Sequence, residues 1–152
     1  MKKRSLVVVA VLLALSLALA STASAKQISG TGTIWAKGVG KAVLRGDGEI
    51  RIRCHGLCSV WVKNADELQA WGRGHRAELP GGGTKFWGWR GTIYASGEGM
   101  TVSMRGGVFE LTATGTGTVY LKGRGRFVVN HRSGFWSSAG ETLTLEPAEE
   151  AA

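Results

Sequence analysis

The chain holds 152 residues, 24 of them glycine and only two cysteine, with a formal net charge of +8. Once an export signal is removed, it is long enough for one domain with a real core and too short for two ordinary ones. Its basic character points to polyanions as partners, such as cell-wall polymers, acidic polysaccharides or extracellular DNA.

Residues 1–25 read as a secretory signal peptide. Lys2, Lys3 and Arg4 form the basic start, Leu6 to Ala20 the apolar run, and Ala23-Ser24-Ala25 the small-residue cleavage site. Cleavage near Ala25 predicts a secreted, periplasmic or cell-surface protein. No cysteine follows the cut, which argues against a lipid anchor there, and no transmembrane anchor is expected in the mature chain. Without the three basic residues of the signal the mature chain stands at +5, and without the acids of the tail 146–152 its body stands near +8.

A single β-domain is expected over 26–145, organised around an internal repeat. The stretch GTIWAKGVGKAVLRGDGEIRIRCHGLCSVWVK from Gly32 recurs without a gap 59 residues later as GTIYASGEGMTVSMRGGVFELTATGTGTVYLK from Gly91. Apolar and aromatic positions coincide: Trp35 with Tyr94, Ile50 with Phe109, Trp61 with Tyr120. Glycine content alone does not produce that, so the pattern reads as a duplication, with copy one at about 30–71 and copy two at about 89–130.

Within each copy an eight-residue rhythm, G-x-G-x-h-x-h-x with h apolar, alternates apolar and polar residues, which predicts strands with one buried face. The inward set of copy one is Ile34, Ala36, Ala42, Leu44, Ile50, Ile52, Val60 and Val62. The alternation never slips, and a three-residue loop such as Gly46-Asp47-Gly48 keeps such parity. Short antiparallel hairpins are therefore expected, facing Arg45 with Glu49, Cys54 with Cys58 and Thr114 with Thr118. The pairs Lys37 with Lys41 and Lys122 with Arg126 set like charges together and count against it.

The expected fold is all-β: an antiparallel sandwich or closed barrel of about 10–11 short strands, with a glycine-rich β-solenoid as the rival. A calcium-binding roll is disfavoured because only Asp47 occupies a turn aspartate place. An outer-membrane barrel is disfavoured because the strands are short and carry Lys and Arg outward. Residues 72–84 read as a long connection, residues 130–141 as its counterpart, and about 142–145 as a closing strand before the acidic tail 146–152.

Cys54 and Cys58, facing across His55-Gly56-Leu57, predict a small hairpin disulfide in an oxidising compartment. A metal site is disfavoured, since adjacent Cys54 and His55 on a strand point to opposite faces. His75, His131 and the acids Glu78, Glu98 and Glu110 are dispersed, and no catalytic constellation emerges. No enzyme activity, cofactor or metal is expected. Trp35 and Trp61, with Tyr94 and Tyr120 at the aligned places, project from the outward face beside Arg51, Arg53 and Lys63. Rings beside cations stack on sugars or bases while the cations hold acidic groups, although outward aromatics also serve as plain packing. Phe86, Trp87, Trp89, Phe135 and Trp136 read as plugs at the ends of the domain, with the apolar floor of an end-loop binding site as the alternative. The expectation is a non-catalytic surface module for an anionic glycan or other polyanion, with a self-associating envelope or matrix protein as the alternative.

Overall fold

A computed structural model describes residues 32–146. The expected signal peptide, its cleavage point and the acidic tail beyond Glu146 lie outside them. The described chain is all-β and antiparallel, with no helix: β1 (Gly32–Lys63), β2 (Glu67–Glu78), β3 (Thr84–Val129), β4 (Arg132–Trp136) and β5 (Glu141–Leu145). The sheet does not close into a barrel, and its antiparallel ladders exclude the parallel solenoid. No helix of the described residues is long and apolar enough to cross a membrane.

The alternation read from the sequence is obeyed. Every residue of the inward set, from Ile34 to Val62, is buried, and so are Ile93, Ala95, Val102, Phe109, Leu111, Val119 and Leu121 in β3. These residues form one hydrophobic cluster.

The hairpins, however, are not where parity placed them. Arg45 lies between Thr101 and Thr118, and Glu49 between Ser96 and Thr114, so Arg45 does not face Glu49. Thr114 lies between Thr33 and Glu49, and Thr118 between Arg45 and Thr144. Lys37 lies between Glu110 and Arg126, and Lys41 between Arg105 and Lys122. With both flanks occupied, none of these segments doubles back. The chain instead runs through each glycine pair and bends. A strand that continues keeps parity as well as a three-residue loop does, so parity alone does not separate the two.

The register shows how far this continuity goes. Ile34↔Val129, Gly46↔Gly117, Cys54↔Phe109, Lys63↔Thr101, Glu67↔Ser96 and Glu78↔Thr84 follow one another, so β1 and β2 pair with β3 as one long two-stranded ribbon. Its tip is the turn at 79–83, where Gly82 N donates to Leu79 O and Leu79 N to Gly83 O. The ribbon also pairs with itself: Gly115 is flanked by Gly32 and Gly48, sixteen residues apart. One turn of the roll thus takes two units of the eight-residue rhythm.

The bends explain the glycines. Gly46 faces Gly117, and Gly48 faces Gly115. Gly46 and Gly117 have φ of 151° and 141°, and a Cβ on Gly46 would lie 2.0 Å from the Thr116 carbonyl oxygen. Both strands of the ribbon need glycine at such a corner because the backbones touch there.

Residues 72–84 are likewise mostly strand, since β2 runs on to Glu78. Near the other end the ribbon stops at Asn130-His131, whose φ values of 46° and 70° make a two-residue turn that sends β4 back along β3. The aligned Trp71-Gly72 carries β2 onward instead. Phe86 and Trp89 pack edge to face at 5.0 Å, and Trp136 stacks on Phe109 at 6.2 Å. All four of these aromatics are buried, whereas Trp87 and Phe135 point outward.

Candidate functional site

Successive passes of the ribbon fall alternately into two series of ladders, and these divide the outward residues. One row of the first series runs Ser133, Val128, Trp35, Thr112, Arg51, Tyr94, Gln69, and the next runs Phe135, Arg126, Lys37, Glu110, Arg53, Thr92, Trp71. The matching row of the second series runs Thr142, Tyr120, Val43, Ser103, Trp61, Lys85, Ala77. Directly opposite residues share a face. Trp35, Tyr94, Arg51 and Arg53 therefore stand together, while Trp61, Tyr120 and Lys63 stand together elsewhere.

On the first series carboxylates stand among the cations. Lys37 Nζ lies 3.7 Å and His55 Nε2 3.5 Å from Glu110 Oε2, and Trp35 Nε1 donates to Glu110 Oε1 at 3.0 Å. The Trp35 indole N–H first, then His55, Lys37 and Arg53, hold the Glu110 carboxyl below the usual glutamate range against a desolvation cost. Arg126 covers the Trp35 ring at 5.3 Å. Tyr94 donates its hydroxyl to Glu49 at 3.2 Å, beside a depression of about 280 Å³ lined by Glu49, Arg51, Tyr94 and Thr112. Trp35 and Tyr94 are thus engaged within the fold, and Arg51 and Arg53 share their face with Glu49, Glu67 and Glu110.

The second series is different. Its next rows are Thr144, Thr118, Arg45, Thr101, Lys63 and Lys122, Lys41, Arg105, Ser59. Together the three rows carry Lys41, Arg45, Lys63, Lys85, Arg105 and Lys122 and no carboxylate. Lys122, Lys41 and Arg105 are direct neighbours about 4.8 Å apart in the ladder, a like-charge arrangement that costs stability unless an anion lies over it. Trp61 is 44% exposed at the centre, with Lys63 Nζ 5.2 Å from its ring. A depression of about 430 Å³ here is lined by Lys41, Ser59, Val60, Trp61, Lys85, Ser103, Met104 and Arg105. Tyr120, by contrast, packs under the turn at Gly140.

Sequence reading missed Lys41, Lys85, Arg105 and Lys122 as a group, because they come from different passes of the roll. Trp87, expected as an end plug or the floor of an end-loop site, instead lies outward beside Lys85 at 6.0 Å and stacks on His75 at 5.2 Å. The signal available was the outward parity of Lys41 and Lys85, shared with Trp61.

Cys54 and Cys58 are buried free thiols. Cys54 is flanked by Gly91 and Phe109, and Cys58 pairs beside Trp89, so the two do not face across a hairpin as expected. The strand instead bulges at 55–57: Cys54 faces Phe109 while Ser59 faces Arg105, five residues against four. The sulfurs nevertheless meet, and a hydrogen bond to Cys58, reinforced by burial, pushes the Cys54 thiol well above its ordinary range. His55 turns outward to Glu110, away from both sulfurs. Among the described residues no group of three His, Cys, Asp or Glu side chains could hold a metal ion.

No protein-family model matches this chain, and no match was found among curated proteins or solved structures.

Proposed function

We propose that the chain is an exported, non-catalytic β-module that binds an anionic glycan or other polyanion on the outward face of its second ladder series. The observation that carries this reading is the segregation of charge: six cations and no carboxylate share three adjacent rows around an exposed Trp61. Cations alone would bind diffusely. The indole in their midst supplies a platform for a sugar ring or base, and the depression beside it supplies concavity.

The finer architecture belongs to the same reading. The rolled hairpin and the single buried cluster support a two-layered antiparallel sandwich wired like a lengthened jelly roll. Trp35 and Tyr94 falling in one row, and Trp61 and Tyr120 in another, support two duplicated halves related by a pseudo-twofold axis. The adjacency of Cys54 and Cys58 suits disulfide formation after export.

The test is tryptophan fluorescence of the mature chain, titrated with acidic glycans, neutral glycans and single-stranded DNA at low and high salt. Acidic ligands are expected to perturb the emission saturably, with affinity falling as salt rises. Trp61→Ala is expected to weaken binding about tenfold or more, at roughly 1–3 kcal/mol for a stacked ring, and Trp35→Ala to leave it nearly unchanged. Salt-independent binding of neutral glycans, or equal losses in both variants, refutes the assignment.

A further inference from the structure

Independently of any polyanion, we infer that the β2 edge is a self-complementary interface through which a second copy of this chain adds, antiparallel, about a twofold axis at Ala70. β2 pairs only with β3, so its other edge carries backbone donors and acceptors with no strand partner among the described residues. The other edge strands, β4 and β5, have five residues each, whereas Glu67–Arg73 offers seven in unbroken register with no proline or lysine, the last of them just past the corner where Gly72 faces Gly91. Of the devices that protect an exposed edge, proline and lysine are absent from this stretch, and its charges are one of each sign at the two ends.

Side chains select both the partner and the register. Glu67, Gln69, Trp71 and Arg73 are exposed, while Leu68 and Ala70 pack against the core. Only registers that set odd residues opposite odd residues keep that division. Arg73 lies directly opposite Arg90, and among the described residues neither has a carboxylate within ion-pair distance. Glu67 lies opposite Ser96, with no cation paired to it. An axis at Ala70 places Glu67 of each copy opposite Arg73 of the other, twice, and Gln69 opposite Trp71, twice.

The two Trp71 rings, 53% exposed in the single chain, then become diagonal neighbours, within reach for aromatic contact. An axis at Gln69 leaves Arg73 without a partner, and one at Trp71 moves Glu67 opposite His75, past the register break between Arg73 and His75. A seven-residue contact is small, so the dimer is weak, in roughly the micromolar range.

The test is sedimentation equilibrium of the mature chain from about 5 to 500 µM, a range that brackets such an affinity, with circular dichroism to confirm that each variant folds. Glu67→Arg or Arg73→Glu alone sets like charges together at both pairs and is expected to raise the dimer dissociation constant about tenfold or more. The double variant E67R/R73E restores opposite charges and is expected to recover dimerisation. A wild-type chain that stays monomeric throughout overturns the inference. So does a dimer indifferent to the single substitutions, or a double variant no better than either single.

Discussion

Lys41 lies between Lys122 and Arg105, and replacing it trades stability against binding in a way that can be calculated. Flexible side chains let the charged groups spread to roughly 6 Å, where each like-charge contact costs about 0.7 kcal/mol in water without salt. At physiological ionic strength, screening over about 8 Å halves this. Lys41→Gln removes both contacts and is expected to stabilise the fold by about 0.5–1 kcal/mol at low salt, because part of the strain already relaxes by side-chain motion. Lys41→Glu converts repulsion into attraction and is expected to gain about 1–2 kcal/mol. The assay is urea unfolding followed by circular dichroism at low and high salt, with midpoint and slope fitted separately so that a change in the denatured state is not mistaken for stability. Both gains should shrink as salt rises, and both variants should bind a polyanion more weakly, with a shallower salt slope. If Lys41→Glu is neutral or destabilising at low salt, or its gain persists unchanged at high salt, the cationic row is not under strain and the electrostatic basis of the binding face fails.

Two further predictions concern the corner and the first ladder face. Gly46→Ala places a Cβ 2.0 Å from the Thr116 carbonyl oxygen at a φ of 151°, and is expected to cost about 3 kcal/mol or more, read as a lower unfolding midpoint; an unchanged midpoint refutes the corner geometry. Trp35→Phe removes the main hydrogen bond to Glu110 and is expected to raise its pKa toward the ordinary glutamate value, measured by carboxyl carbon NMR titration. Because the folded pKa lies below the unfolded one, the Glu110 contribution is present above the unfolded value and is lost as pH falls through the folded value, so the variant should also lose less stability on acidification. A Glu110 titration that does not move upward would show that the indole is not its dominant partner.

Much of the molecule is legible in the chain because side-chain alternation is a local property. The inward set from Ile34 to Val62 and the all-β class follow from period two, which survives whatever route the strand takes, whereas antiparallel pairing shows only in the ladders. The same locality leaves the position of the turns open. Gly46-Asp47-Gly48 satisfies a hairpin loop and a corner equally, and only the partners of Arg45, namely Thr101 and Thr118, distinguish them. The chain does reverse at Asn130-His131, but these residues lack the glycine that ordinarily marks such a turn.

The candidate site divides along the same line. Parity and composition, which need no knowledge of pairing, already turn Trp35, Trp61, Arg51 and Lys63 outward on a basic body. Long-range pairing divides the outward residues between ladder series, sets Glu49, Glu67 and Glu110 on the face of Arg51 and Arg53, and brings Lys41, Lys85, Arg105 and Lys122 together near Trp61. A rolled ribbon brings together residues from different passes. Which charges become neighbours depends on ladder register, and that is set by bends and pairings between distant segments.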